Sequence, residues 1–158
     1  MKISIGISEK NLKAISQILN TLLADEYVLY TKTRNYHWNV EGKDFMELHK
    51  FFEEQYGELE EILDQVAERV RNLGHFPIGS LEEFLHSTHL KETKVTGLTE
   101  KQMSQNLMND HETVIRFIRD NIEVVDEKYK DAGTTDFITG IMQQHEKMAW
   151  MLRSYLRQ

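Results

Sequence analysis

Residues 35–50 read NYHWNVEGKDFMELHK, and the interpretation of the whole chain depends on this stretch. It holds two of the chain's seven histidines, His37 and His49, which lie 12 residues apart on either side of Gly42. The glycine and the charged residues around it interrupt a helical pattern that runs on both sides. The stretch therefore predicts two helices joined by a short turn, with one histidine on each helix.

Apolar residues at helical spacing extend away from this turn in both directions. The pattern predicts a first helix from about Ser8 to His37 and a second from about Lys43 to Leu73, with Gly74 as its C-terminal signal. Gln55 and Arg69 are the two polar residues that interrupt the apolar stripe of the second helix. The apolar positions are Leu12, Ile15, Leu19, Leu22, Leu23, Tyr27 and Tyr30 in the first helix, and Phe45, Leu48, Phe52, Leu59, Ile62, Val66 and Leu73 in the second.

Capping sequences mark the helices of the second half. A capping box at 80–83 predicts a short helix, SLEEFLH, and a second box opens a third long helix predicted over 99–130. We expect that helix to end at Gly133, and Thr134 or Thr135 to cap a fourth. We assign Met148, Trp150 and Met151 of the fourth helix to the core.

These elements indicate an all-α chain. The sequence shows no strand pattern and no internal repeat, so four long helices and one short helix predict a four-helix bundle with a short extra helix in the long crossover. At 158 residues, we expect 1–158 to form a single domain.

Composition excludes several classes of function. The formal net charge of -7 argues against a generally nucleic-acid-binding surface and favours attraction of cations. The chain has no cysteine, which excludes disulfides and thiolate metal sites and favours a reducing compartment. The N-terminus lacks the apolar region of a signal peptide, and no run approaches the roughly 20 apolar residues that span a bilayer. We therefore expect a cytoplasmic protein.

A polar stripe on the second helix carries residues that can bind a metal. His49 and Glu53, like Asp64 and Glu68, are four residues apart, so each pair shares a face. All four lie within an arc of about 100° that points away from the apolar stripe. Gly57 lies on the same arc in mid-helix, where it costs about 0.5–1 kcal/mol relative to alanine and suggests that another backbone comes close.

Distance shows how the two pairs could cooperate. His49 and Asp64 are 15 residues apart, or about 22 Å along a helix, so they cannot hold one ion within one chain. If two copies of the helix cross antiparallel near Gly57, each His49 pair meets the partner's Asp64 pair, and a two-fold axis creates two identical sites. His37 could complete each one. Two histidines and three carboxylates suit iron, zinc or manganese.

Two other interpretations compete with this one. A di-iron site inside one bundle typically needs Glu-x-x-His on two long helices, whereas this sequence has one such match, Glu83 to His86, in the short helix. Alternatively the stripe is a solvated face of a purely structural helical oligomer, and nothing depends on metal. We expect His111 and His145 to be packed or solvated rather than ligands.

The segments YHWNVEGKDFMELH and DQVAERV, with the acid four positions after His49, resemble the Dps-type miniferritins, the DNA-binding proteins from starved cells. The resemblance covers nearly the whole chain and implies a ferritin-like bundle that assembles into a hollow dodecamer. It implies a ferroxidase that oxidises ferrous iron, preferably with hydrogen peroxide, and stores the ferric mineral, which protects against oxidative damage. It also implies a di-iron site shared between two-fold-related chains. Its ligands are His37, His49 and Glu53 of one chain and Asp64 and Glu68 of the other.

The resemblance also suggests roles beyond the ligands. Trp38 is a candidate electron donor beside the site, with simple packing as the alternative. Carboxylates near the last interhelical turn line three-fold pores in this family, which makes Asp126, Asp131 and Asp136 candidates for an iron entry route.

Two features depart from the family. Glu53 stands where an aspartate is more usual, and the extra methylene could shift the metals or weaken one position. The chain also lacks the lysine-rich tail with which DNA-binding members hold DNA, so we expect weak or absent DNA binding.

Overall fold

A computed structural model of the chain describes residues 3–157, in which five α-helices and one π-helical turn form a bundle. No β-strand is present among these residues, which confirms the all-α prediction of four long helices and one short helix. The elements are α1 (Glu9–Asn39), α2 (Phe45–Asn72), α3 (Leu81–Ser87), α4 (Glu100–Glu123), a π-helical turn (Val124–Lys128) and α5 (Ala132–Leu156).

The predicted caps begin three of these helices. Ser8 accepts a hydrogen bond from the backbone N–H of Asn11 at the start of α1. The capping boxes of α3 and α4 are both complete, with Ser80 and Thr99 as the N-caps. After α2, Gly74 has a φ of 85°, a conformation that glycine adopts without strain. These local signals are readable in sequence because each satisfies helix-end groups that have no partner inside the helix.

The boundary between the third and fourth long helices was predicted wrongly. The α-helix ends at Glu123 and gives way to the π-helical turn, and Lys130 takes the left-handed conformation with a φ of 59°. Asp131, not Thr134 or Thr135, is the N-cap of α5, because its carboxylate accepts from the N–H of Thr134 at 2.9 Å. Gly133 therefore lies inside the first turn of α5.

The helices pack as two hairpins around one apolar core. The α1 helix packs most extensively on α2, and α4 packs on α5, while α1 also contacts α3 and α4. The two polar interruptions of the α2 stripe both tie α2 to α5. Gln55 is buried and donates to the carbonyl of Met148, and Arg69 bonds the side chains of Thr134 and Asp131. Each interruption thus fixes how the two hairpins meet.

The assignment of Trp150 to the core was wrong. Its side chain is 60% exposed, whereas Met148 is buried and Met151 is half-buried. The indole lies on the outer face of α5, so the apolar character of the segment AWMLR does not mark a single buried stripe. Across the described residues, no helix combines the length and the apolar character needed to cross a membrane.

Candidate metal centre

His37 and His49 lie face to face where α1 and α2 meet. Their rings are stacked with centroids 3.9 Å apart and planes 18° apart. Nδ1 of His37 lies 2.7 Å from the carbonyl oxygen of His49, and Nδ1 of His49 lies 2.9 Å from the carbonyl oxygen of His37. Each histidine thus holds the backbone of the other, across the turn at Gly42.

This reciprocal bonding fixes the tautomer of both rings. A carbonyl oxygen can only accept a hydrogen bond, so both Nδ1 atoms carry their protons. In the neutral rings both Nε2 atoms therefore have lone pairs to offer. Metal-binding histidines almost always donate their other N–H to a carbonyl, carboxylate or water, which orients the ring. The pair has the arrangement expected of two metal ligands.

Aromatic side chains enclose the histidine pair. Phe45 stacks on His49 with ring centroids 5.2 Å apart, and the rings of Tyr56 and His37 form a T-shaped pair, also with centroids 5.2 Å apart. His37 is 7% exposed and His49 is half-buried. Phe45 was predicted to lie in the apolar stripe of α2. Its ring is instead 38% exposed and covers the histidine pair rather than the core.

Glu53 brings a carboxylate to the same end of α2. It lies one turn after His49 and is exposed, and the hydroxyl of Tyr56 donates to its Oε1 at 3.5 Å. Burial, followed by the negative charge of Glu53, raises the pKa of Tyr56 above its usual value. His37, His49 and Glu53 are therefore the candidate half-site of one chain, with two imidazoles in contact and one exposed carboxylate a helical turn after His49.

An arginine surrounded by aromatic rings borders this half-site. The Cζ atom of Arg34 lies 5.3 Å from the ring centroid of Trp38, 5.5 Å from that of Tyr56 and 5.7 Å from that of Tyr30. Trp38 itself is 64% exposed in the single chain. Its indole is a surface group beside the site, held by the guanidinium of Arg34.

Asp64 and Glu68 lie farther along α2. Both are exposed, and the helical rise places Asp64 about 22 Å from His49. Within residues 3–157, no three histidine, aspartate or glutamate side chains converge as a metal site. A Cβ atom added to Gly57, between the two pairs, would meet nothing within 4 Å. One chain thus presents two separate half-sites on either side of an uncovered backbone.

The three candidate pore residues have different surroundings. Asp126 and Asp136 are exposed. Asp131 is 4% exposed, caps α5 and lies 3.4 Å from the guanidinium of Arg69. Its oxygens are engaged within the chain, which leaves Asp126 and Asp136 as the better candidates for a pore.

Two residues beside the half-site were missed from the sequence: Tyr56, which contacts His37 and Glu53, and Arg34, which lies over the ring of Tyr56. Arg34 comes one turn before His37 on α1, and Tyr56 one turn after Glu53 on α2. Helical spacing could have found both, since residues three positions apart share a face. The contact between them joins two helices, however, and spacing within one helix does not report it.

A model of the ferritin-like domain matches residues 16–158. A low temperature-induced protein of Nostoc sp. is 44% identical over 98% of this chain and 87% of its own length. DNA protection during starvation protein 2 of Bacillus anthracis is 36% identical over 92% of this chain and 99% of its own. The structure of a Dps protein from Vibrio cholerae O1, described as a member of a broad superfamily of ferritin-like diiron-carboxylate proteins, has a TM-score of 0.92. It is 32% identical and covers 98% of this chain and 96% of that one.

Proposed function

This chain belongs to the ferritin-like family as a Dps-type miniferritin, and from that premise we propose that it is a cytoplasmic ferroxidase that stores iron. The family supports iron storage and protection from oxidative damage. In this proposal, 1–158 forms one ferritin-like domain, and twelve chains form a hollow shell.

The observation that carries the proposal is the reciprocal bonding of His37 and His49. Two neutral imidazoles with Nε2 lone pairs, and an exposed carboxylate at Glu53, suit a divalent first-row metal ion. The two-fold contact over Gly57 would bring Asp64 and Glu68 of the partner to this half-site. Three carboxylates then balance the charge of the ferric product better than neutral ligands would, so oxidation is favoured at the site.

Ferrous iron is the substrate in this scheme, and hydrogen peroxide is the oxidant. Two ferrous ions supply the two electrons that reduce one peroxide, with two protons, to two waters. Because both electrons arrive at one site, little hydroxyl radical forms. Trp38 can donate an electron when only one ferrous ion is bound. The ferric product moves to the inner wall of the shell and mineralises there.

Anaerobic titration with ferrous iron, followed by hydrogen peroxide, tests this function directly. We expect the absorbance of ferric iron to appear rapidly, and the reaction to consume about one peroxide per two irons. The particle should hold twelve chains of 18.7 kDa, about 224 kDa by light scattering. His49→Ala should slow the reaction and leave the particle intact. Oxidation no faster than in buffer would instead indicate a structural shell, and a wild-type rate in the variant would overturn the site assignment.

A mixing experiment tests whether the site is shared between chains. His49→Ala destroys one half-site, and Asp64→Ala with Glu68→Ala destroys the other, so each assembly alone should be inactive. When the two are unfolded together and refolded, half of the two-fold pairs combine one chain of each kind. Each mixed pair has one site with both halves intact, so about a quarter of all sites should recover. A site within one chain predicts no recovery.

A further inference from the structure

Tyr56 contacts two of the three proposed ligands that one chain contributes. Its ring and that of His37 form a T-shaped pair, with an angle of 80° between the planes. Its hydroxyl donates to Oε1 of Glu53 at 3.5 Å, at the long end of hydrogen-bond distances. A single side chain thus links a ligand of α1 to a ligand of α2.

Two neighbours hold the Tyr56 ring in place. The guanidinium of Arg34 lies over it at 5.5 Å, and the ring of Tyr30 meets it at 6.2 Å with an angle of 86° between the planes. Arg34 also donates to the hydroxyl of Tyr30. Contacts of a cation with a ring face and edge-to-face ring pairs are both attractive, so this packing restrains the ring.

Glu53 has more need of such a restraint than a shorter ligand would. It is exposed, and a glutamate loses more rotamer freedom than an aspartate when a metal fixes it. The hydroxyl of Tyr56 can offset part of this cost before iron arrives, because it already limits where the carboxylate lies. Partners of this kind around metal ligands typically change metal affinity or activity by about 10–100-fold.

We propose that Tyr56 is a positioning residue that holds the Glu53 carboxylate beside His37 for ferrous iron. This inference rests on the proposed function, since it concerns the affinity of the same half-site. The glutamate at position 53 then has a partner in the same chain, the hydroxyl of Tyr56. The carboxylate of Glu53, longer than that of an aspartate, and the hydroxyl of Tyr56, one helical turn later, act together.

The test is Tyr56→Phe, which removes the hydroxyl and keeps the ring against His37. We expect the KM for ferrous iron in peroxide-driven oxidation to rise about tenfold while kcat stays unchanged, because the lost interaction aids binding rather than the chemical step. The melting temperature and the mass of the particle should not change. Tyr129→Phe is the matched control, since it removes the hydroxyl of a tyrosine that lies between the π-helical turn and α5, outside this half-site, and its KM should equal that of the wild type.

Glu53→Asp supplies a second, independent measurement. The shorter carboxylate cannot reach the hydroxyl from the same backbone position, so adding Tyr56→Phe to it should leave KM where Glu53→Asp alone puts it. A wild-type KM in Tyr56→Phe, or equal effects of Tyr56→Phe in both backgrounds, overturns the positioning role. So does a loss of the particle together with activity. An inactive wild-type protein would overturn the proposed function itself, which is a separate result.

Discussion

At the scale of single residues, Asp131 shows how one carboxylate can join two elements. It is buried, accepts the N–H and hydroxyl of Thr134 at the start of α5, and faces the guanidinium of Arg69 on α2. Arg69 also donates to the hydroxyl of Thr134 at 3.0 Å. The three side chains therefore form one polar joint between α2 and α5, at a position where an apolar stripe would otherwise continue.

Replacing Asp131 tests that joint. Asp131→Ala removes the cap of α5 and leaves Arg69 without its acidic partner, so the free energy of unfolding should fall by about 2 kcal/mol. Asp136→Ala is the matched control, because that exposed aspartate lies on the same helix outside the cap, and its effect should stay within about 0.5 kcal/mol. Guanidinium denaturation of both variants at one protein concentration measures the difference. Equal stability of the two variants would contradict the structural role of Asp131.

At the scale of elements, the helices were predictable where local chemistry decides them. The periodicity of α1 and α2 and the capping boxes of α3 and α4 depend on neighbours within four residues, which the sequence displays directly. The end of α4 was missed because Gly133 has the form of a C-terminal signal, while Lys130 adopts the positive φ instead. Asp131, which caps α5 through its side chain, competes with the glycine as the signal for the helix boundary. The contact of Asp131 with Arg69 on α2 favours the aspartate.

The residues of the half-site divide in the same way, into those that local sequence predicts and those that depend on how helices pack. His37 and His49 could be placed together because they flank one short turn, and Glu53 follows His49 by one helical turn. Arg34 and Tyr56 could not, because their contact depends on how α1 packs on α2. The proposed role of Asp64 and Glu68 would depend on a contact between two chains, for which the sequence offers only Gly57 and a distance argument.

A network of buried polar side chains crosses the bundle and links α1, α4 and α5. Nε2 of His145 lies 2.9 Å from Oε1 of Glu26, and Nδ1 of His145 lies 2.9 Å from Nδ1 of His111. All three residues are 0% exposed. Both histidines were predicted from the sequence to be packed or solvated, and the structure confirms that they are packed. Within residues 3–157, Nε2 of His111 and Oε2 of Glu26, at the two ends of this network, have no hydrogen-bond partner.

This network should make the bundle sensitive to acid. Burial, and then the proximity of His145, holds the pKa of His111 well below 6.5. As pH falls below about 6.5, the unfolded chain gains a proton at this position that the folded chain excludes, so stability decreases by up to about 1.4 kcal/mol per pH unit. Above that pH the contribution is constant. His111→Leu should flatten the dependence of unfolding free energy on pH between about 6.5 and 5, relative to wild type.

The matched control for this titration is His86→Leu, which removes an exposed histidine from α3. It should leave the slope of stability against pH as it is in the wild type. His111→Leu also removes the partner of Nδ1 of His145, so the stability of the variant is expected to be lower at every pH, and the slope alone is the diagnostic quantity. If the slope in His111→Leu equals that of the wild type, His111 binds no more protons in the unfolded state than in the folded state, and the prediction is contradicted.

At the scale of the whole molecule, charge decides which partners the surface can hold. Each chain carries a formal net charge of -7, with 26 acidic and 19 basic residues. Arg119 and Arg153, which line a groove between α4 and α5, are both paired with glutamates, Glu146 and Glu112. Basic residues that already face carboxylates gain little from a phosphate. Assembly of twelve such chains would multiply the negative charge and favour ferrous ions over nucleic acid near the surface.

We therefore predict that the assembled protein leaves DNA unbound at physiological ionic strength, although DNA protection names several of its relatives. Binding to duplex DNA depends on releasing counterions from phosphates that lysine or arginine neutralise, and in this chain acidic residues outnumber basic ones by 26 to 19. A gel-shift titration at about 0.15 M salt should show free DNA throughout. A variant that carries a lysine-rich extension at the N-terminus is the positive control, and its binding should weaken steeply as salt rises. Retardation by the unmodified protein with the same salt dependence would show that a basic surface forms on assembly, and the charge argument would then fail.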